Sequence, residues 1–174
     1  MNKLLHPIAG VCYGILVPLI LDHFGFLTGQ AGVDYYAEVH TSSLNSYIHT
    51  AFMPFTIYGM FLWIPRVLNL SLYDSIHFDM CIYMAYMTHY MMINVWVGLA
   101  ACVYYFVPLV FAHAAHMRIG MHRLFGFGLA TSVLALLIQE VFGHWYSNDP
   151  PSRGEAVFNA ILYAVYYSVS HVLV

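Results

Sequence analysis

Two short stretches carry the side chains best suited to chemistry. HTSSLNSYIHTAFMP, residues 40–54, sets His40 and His49 on either side of Asn45. QEVFGHWYSNDPPSR, residues 139–153, sets Glu140 one helical turn before His144. Residues four apart share a helix face, so Asn45 pairs with His49 and Glu140 with His144. Neutral imidazole with carboxylate is a ligand set for iron, zinc or manganese. Cys12, Cys81 and Cys102 lie inside apolar runs with no CxxC pair, and read as small buried hydrophobes. Without thiolates, non-haem iron(II) is favoured over structural zinc. His40, His49 and His144 are the expected metal ligands, with Glu140, His23 and His89 as candidate further ligands. Asn45 and Glu140 are the candidate catalytic side chains. Asn45 is placed to steady the His49 imidazole, or a bound water, by a hydrogen bond.

The remaining histidines have plainer readings. His113 and His116 form HAAH, three apart on one face, with His122 soon after. This resembles a single fragment of the histidine boxes of desaturases and hydroxylases, but the other boxes are absent. His6, His77 and His171 read as hydrogen-bonded residues between helices. Tyrosine and tryptophan belong at membrane interfaces, and the methionine cluster MAYMTHYMM reads as flexible packing.

The elements that must position these residues follow from composition. The chain is 61% hydrophobic and 7% charged, too few charges to cover a soluble domain of 174 residues. A single all-α membrane domain over 1–174, a polytopic helix bundle, is the class implied. A net charge of −3 leaves no basic patch, which excludes nucleic acid as a partner. Spanning takes about 20 apolar residues. Six stretches qualify: 6–26, 45–64, 76–96, 97–117, 123–143 and 156–174. The first reads as a retained membrane helix rather than a cleaved signal. Asn94 and Gly98 mark a tight turn between the third and fourth, while Pro65 and Pro150-Pro151 punctuate loops. Pro18, Pro54 and Pro108 fall inside spans, where they free backbone carbonyls.

Six spans put both termini on one side, with Lys3, Arg66, Arg118 and Arg123, and leave Arg153 opposite. The positive-inside rule makes that first side cytosolic, as in the endoplasmic reticulum, or matrix-facing in the mitochondrial inner membrane as the alternative. The same topology brings the end of span five and the start of span two to the opposite side. His40, His49 and His144 therefore meet at one depth, with His23 and His89 approaching that side. His113 and His116 fall toward the other.

The order His40, Asn45, His49, Pro54 resembles the signature of the small membrane family that includes the yeast 2-hydroxy fatty acid dioxygenase. A Tyr-rich segment, YYAEVH, precedes the first histidine; Gly143-His144 closes a later helix; Asn159 in FNAILYAVYY starts another. The resemblance covers 35–174, with 1–30 as an extra N-terminal helix. It departs where a Gln is usual four before the second-motif histidine: here that position is Glu140, with Gln139 beside it. The resemblance implies an Fe(2+)-dependent dioxygenase that shortens 2-hydroxy fatty acids by one carbon in alpha-oxidation, with a membrane lipid or fatty acid as substrate. The alternative is a non-catalytic accessory subunit, such as one in a respiratory assembly, packed against membrane-protein partners or its own copies. A transporter is the weaker third class, since no inverted repeat is visible.

Overall fold

In a computed structural model, residues 5–119, 121–149 and 154–173 are described. Lys3, Pro150, Pro151 and Arg153, and the side chains of His122 and Asn159, lie outside the described residues. All regular structure among those described is helical: α1 (Leu5–His23), α2 (Gly29–Ala37), α3 (Ser43–Val67), α4 (Leu72–Ile93), α5 (Val95–Arg118), α6 (Met121–Leu137), a π-helical stretch (Ile138–Gly143), α7 (His144–Ser147) and α8 (Gly154–Leu173). Three helical segments among the described residues are long and apolar enough to cross a membrane: His6–His23, Val95–Arg118 and Arg123–Ser147.

Three boundaries differ from the sequence expectation. Residues 27–44 are not simply a loop, because α2 folds there and packs on α8. Its buried Val33 and Tyr36 give it an inward face. Pro65 does not punctuate a loop but lies inside α3. Between α4 and α5 the break is Asn94 alone. Its side chain accepts from the backbone N–H groups of Trp96 (2.9 Å) and Val97 (3.2 Å), capping α5. Gly98 is thus inside α5, where an added methyl would come 2.6 Å from Met91 Cγ.

The bundle is built around α3, which packs against α5, α6, the π stretch and α8; α1 packs on α4. Small residues allow close crossings, as is usual where lipid-like surroundings remove the hydrophobic drive between helices. Gly10 and Gly14 of α1 face α4, and a methyl at Gly10 would lie 2.5 Å from the Cys81 carbonyl oxygen. Gly59 of α3 and Gly128 of α6 meet in the same way.

The expectation that prolines free carbonyls is met by specific donors. Pro54 leaves the Thr50 carbonyl without its helical N–H, and the Tyr104 hydroxyl bonds that oxygen from α5. Pro65 does the same to Phe61, and His116 Nε2–H donates to it at 3.1 Å. Polarity is inverted relative to a soluble bundle. Asn45, Ser46, His49, Thr56, Asp79 and Gln139 are buried, while Leu16, Leu19, Val103, Phe106, Phe111 and Leu134 face outward. An exterior of this kind suits lipid.

Candidate metal centre

His40 follows α2 and owes its orientation to one residue. Its Nδ1–H donates to the Tyr36 carbonyl at 2.9 Å, and its ring stacks on the Tyr36 ring with centroids 4.0 Å apart. That hydrogen bond fixes the tautomer and leaves Nε2 with its lone pair. The Tyr167 hydroxyl holds the His40 carbonyl at 2.7 Å. Burial lowers the His40 pKa from 6.5 to about 4, with the Tyr36 hydrogen bond opposing the shift, so the ring is neutral at pH 7.

His49 lies in the second turn of α3. Its Nδ1 is 3.4 Å from the Tyr36 hydroxyl. Tyr36 thus touches two rings, one through its carbonyl and one through its phenol. Burial, and then the charge of Glu140, push the phenol pKa well above 10, so it stays protonated.

His144 is brought in by the irregular end of α6. The helix widens into the π stretch before α7, and such a bulge re-aims the side chains beyond it. Gly143 lets α3 approach: a methyl there would lie 2.5 Å from Asn45 Oδ1. Asn148 then takes a left-handed conformation (φ 56°), and the chain turns back to place Asp149 against the start of α3. Asp149 accepts from Thr41 Oγ1 (2.6 Å), the Ser42 backbone N–H (3.2 Å) and Asn45 Nδ2 (2.8 Å). Burial raises its pKa, but these bonds and one involving Ser147 outweigh it, and the net shift is downward. Asp149 is therefore a charged clasp between residues 144–149 and the start of α3.

The three imidazoles form a triangle. Ring centroids are 4.6 Å (His40–His49), 4.9 Å (His40–His144) and 5.6 Å (His49–His144) apart, all tilted or edge-on rather than stacked. One ligand nitrogen from each lies within 4.8 Å of the other two. Nε2 of all three is buried without a hydrogen-bond partner. Imidazole–metal bonds of about 2.0–2.1 Å require donors no more than about 4.2 Å apart, so a small inward movement of the rings fits the set to an ion. Three buried imidazoles, each with an Nε2 lacking a hydrogen-bond partner, are a donor set for a borderline divalent metal.

The other expected residues fall around this triangle or away from it. Glu140 Oε2 is 3.8 Å from His144 Nε2, beside the triad, with its side chain 41% exposed. His89 is buried on α4, its Nε2 3.3 Å from the Tyr163 hydroxyl and outside the cluster. His23, exposed at the end of α1, packs on Phe24 and is also outside it. Asn45 bonds Asp149 rather than the His49 ring. Sequence reasoning passed over Tyr36 and Asp149. The one-turn spacing of Tyr36 and His40 is a usable signal for the first, whereas nothing local marks the second.

A cavity of about 650 Å³ opens beside the triad. Tyr36, His49 and Glu140 line one end, and Ile64 and Phe78 line the other. Along α3, residues 49 to 64 span about 22 Å at about 1.5 Å per residue. Between these ends its walls are mostly apolar, including Met53, Ile57, Phe61 and Val165. Comparison with family models, curated proteins and solved structures gives no match.

Proposed function

We propose that this chain is a membrane-embedded iron(II)-dependent dioxygenase that shortens 2-hydroxy fatty acids by one carbon. The observation that carries the reading is the convergence of three buried imidazoles, each with an Nε2 lacking a hydrogen-bond partner, beside a long apolar cavity that His49 lines. His40, His49 and His144 would hold the metal, with Glu140 beside them. A bound iron(II) would supply Lewis-acid and redox chemistry at the 2-hydroxy carboxylate, with dioxygen as co-substrate. The chain itself would bind the acyl tail along α3, away from water, and so fix the position of the polar head. A cavity about 22 Å long exceeds one leaflet of a hydrocarbon core about 30 Å thick, which favours long acyl chains. Tyr36 would hold two of the rings as neutral Nε2 ligands.

In the bilayer, the six long helices would all cross, with both termini on the side of Arg66 and Arg118 and the triad toward the opposite interface. The endoplasmic reticulum is the proposed compartment. Cysteines placed at Ser43 and Trp145, both exposed, should label from the same side; labelling from opposite sides overturns this topology.

The deciding experiment measures metal content and turnover together. Protein purified in detergent and loaded anaerobically with iron(II) should convert a long-chain 2-hydroxy fatty acid to the acid one carbon shorter when oxygen is admitted. His49→Ala and His144→Ala should each abolish it. Iron-loaded protein with no such product would remove the dioxygenase reading. Failure of the triad to take up any divalent metal would favour the accessory-subunit reading.

A further inference from the structure

A second polar cluster is buried at the other end of α3, where α3, α4 and α5 meet. Its centre is Asp79 of α4, fully buried, with both carboxylate oxygens lacking a hydrogen-bond partner. Two α5 histidines flank it. His116 Nε2 is 3.5 Å and His113 Nε2 3.9 Å from Asp79 Oδ2. The Phe61 carbonyl, left without a helical donor by Pro65, is the fourth group, 3.1 Å from His116 Nε2. His113 Nε2 and His116 Nδ1 are likewise buried without a hydrogen-bond partner.

A carboxylate buried among membrane helices is costly and persists where something neutralises it. The Arg66 guanidinium of α3 and the His116 ring act on Asp79 from nearby, yet both its oxygens lack a close hydrogen bond. The distances say what fits. Two donors that share a first-row divalent ion, with bonds of about 2.0–2.2 Å, lie at most about 4.2–4.4 Å apart. The separations of 3.1, 3.5 and 3.9 Å fall below that limit, but the three side chains do not bring their ligand atoms within 4.8 Å of one another, so one imidazole must turn inward to share an ion. An ion between these groups would take the place of the proton on His116 Nε2, which now points at the Phe61 carbonyl. The donor set is two imidazoles, one carboxylate and one carbonyl oxygen, suited to zinc(II), manganese(II) or iron(II). The His113 side chain is 23% exposed and gives the ion a path in.

We propose that Asp79, His113 and His116, with the Phe61 carbonyl, form a second divalent-metal site that ties α3, α4 and α5 together. Phe61 lies twelve positions beyond His49 in α3, about 18 Å along the helix. The two sites are therefore independent, since paired catalytic metals sit about 3.5–4 Å apart. The role of this second ion is to hold helices, not to react.

The test uses the full chain in detergent, dialysed against cobalt(II), with metal measured by mass spectrometry and by the visible absorption of the bound ion. Wild type should hold about two equivalents, each with bonds formed at the cost of ligand protons. Asp79→Asn and His113→Ala should each lose one equivalent and keep the one that His49→Ala removes. Circular dichroism identifies any variant that fails to fold, and the partly exposed His113→Ala then decides. If folded Asp79→Asn and His113→Ala both keep the wild-type load, or if wild type holds one equivalent that His49→Ala removes, the proposal is overturned. Metal lost in Asp79→Asn but not in His49→Ala would support this site while overturning the triad.

Discussion

The two histidine clusters are built in opposite ways. His113 and His116 are three apart on one regular helix, and Asp79 faces them from the neighbouring helix of a hairpin. Rigid elements alone fix that geometry. His40, His49 and His144 come from a loop, a helix start and the far side of a π bulge, and their meeting depends on hydrogen bonds made by other residues. The first cluster contains a charge and sits on a stiff frame. The second is adjustable, with rings that must close slightly on an ion. A site that has to admit a substrate tolerates such looseness; a staple between helices does not.

The largest effect expected on this contrast is removal of a triad ring. His49→Ala or His144→Ala should empty the triad of metal while the helical content and the Asp79 ion remain. Metal analysis on folded protein checks both halves. Retention of triad metal in either variant would show that the convergence of the three imidazoles is packing rather than coordination.

Next in size is the clasp. Asp149→Ala removes the acceptor for Thr41, Ser42 and Asn45 at once. Residues that orient ligands from outside typically contribute about 10–100-fold in metal affinity, and a drop in that range is expected at the triad. The Asp79 cluster, built without loops, should not respond. Gly143→Ala should act in the same direction, because its methyl would collide with Asn45 Oδ1 at 2.5 Å and push the π stretch off α3. Cobalt(II) titration of the two variants measures both effects; an unchanged triad affinity in Asp149→Ala would mean that His144 is positioned by its own helix.

These residues also mark how far the sequence could be read. Helical membrane character followed from composition, and His40, His49 and His144 were singled out by their spacings and do cluster. The role of Asn45 did not, because a side chain one turn from His49 has several neighbours and the partner it uses, Asp149, is 104 residues away. Asp79 was invisible for a related reason: DMCIY looks like any helix interior until α5 is folded against it. The π stretch and α2 escaped because each depends on tertiary packing rather than on a local periodicity. His23 and His89 were expected on the side of the triad, but both lie outside it, because an expected depth is not a shared face.

A smaller effect concerns acid. The folded-state pKa of His40, about 4, lies below its unfolded value of 6.5 because burial disfavours the charged ring. Protonation therefore favours the unfolded chain. The contribution of His40 to metal-free stability is fully present above about 6.5 and declines as pH falls from there toward 4. Thermal unfolding of the apoprotein should show a falling midpoint over that window, and His40→Phe should flatten the slope. An unchanged slope would place the titrating group elsewhere.

The smallest expected effect tests the rigid cluster through one backbone atom. Pro65→Ala restores an N–H that can bond the Phe61 carbonyl within α3. That carbonyl would then be shared between the restored N–H and the groups around Asp79, and less available to His116 or to an ion. The helix itself should not suffer, since alanine is the better helix former. Affinity at the Asp79 site should fall by about tenfold or less, as for a supporting group rather than a principal ligand. The triad, at the other end of α3, should bind as before, because the change leaves Tyr36, Asn45 and Asp149 untouched. Site-resolved cobalt(II) titration separates the two affinities. A drop at the triad instead would mean that bending of α3 at Pro65 is felt along its whole length, and that the two clusters are coupled through the helix they share.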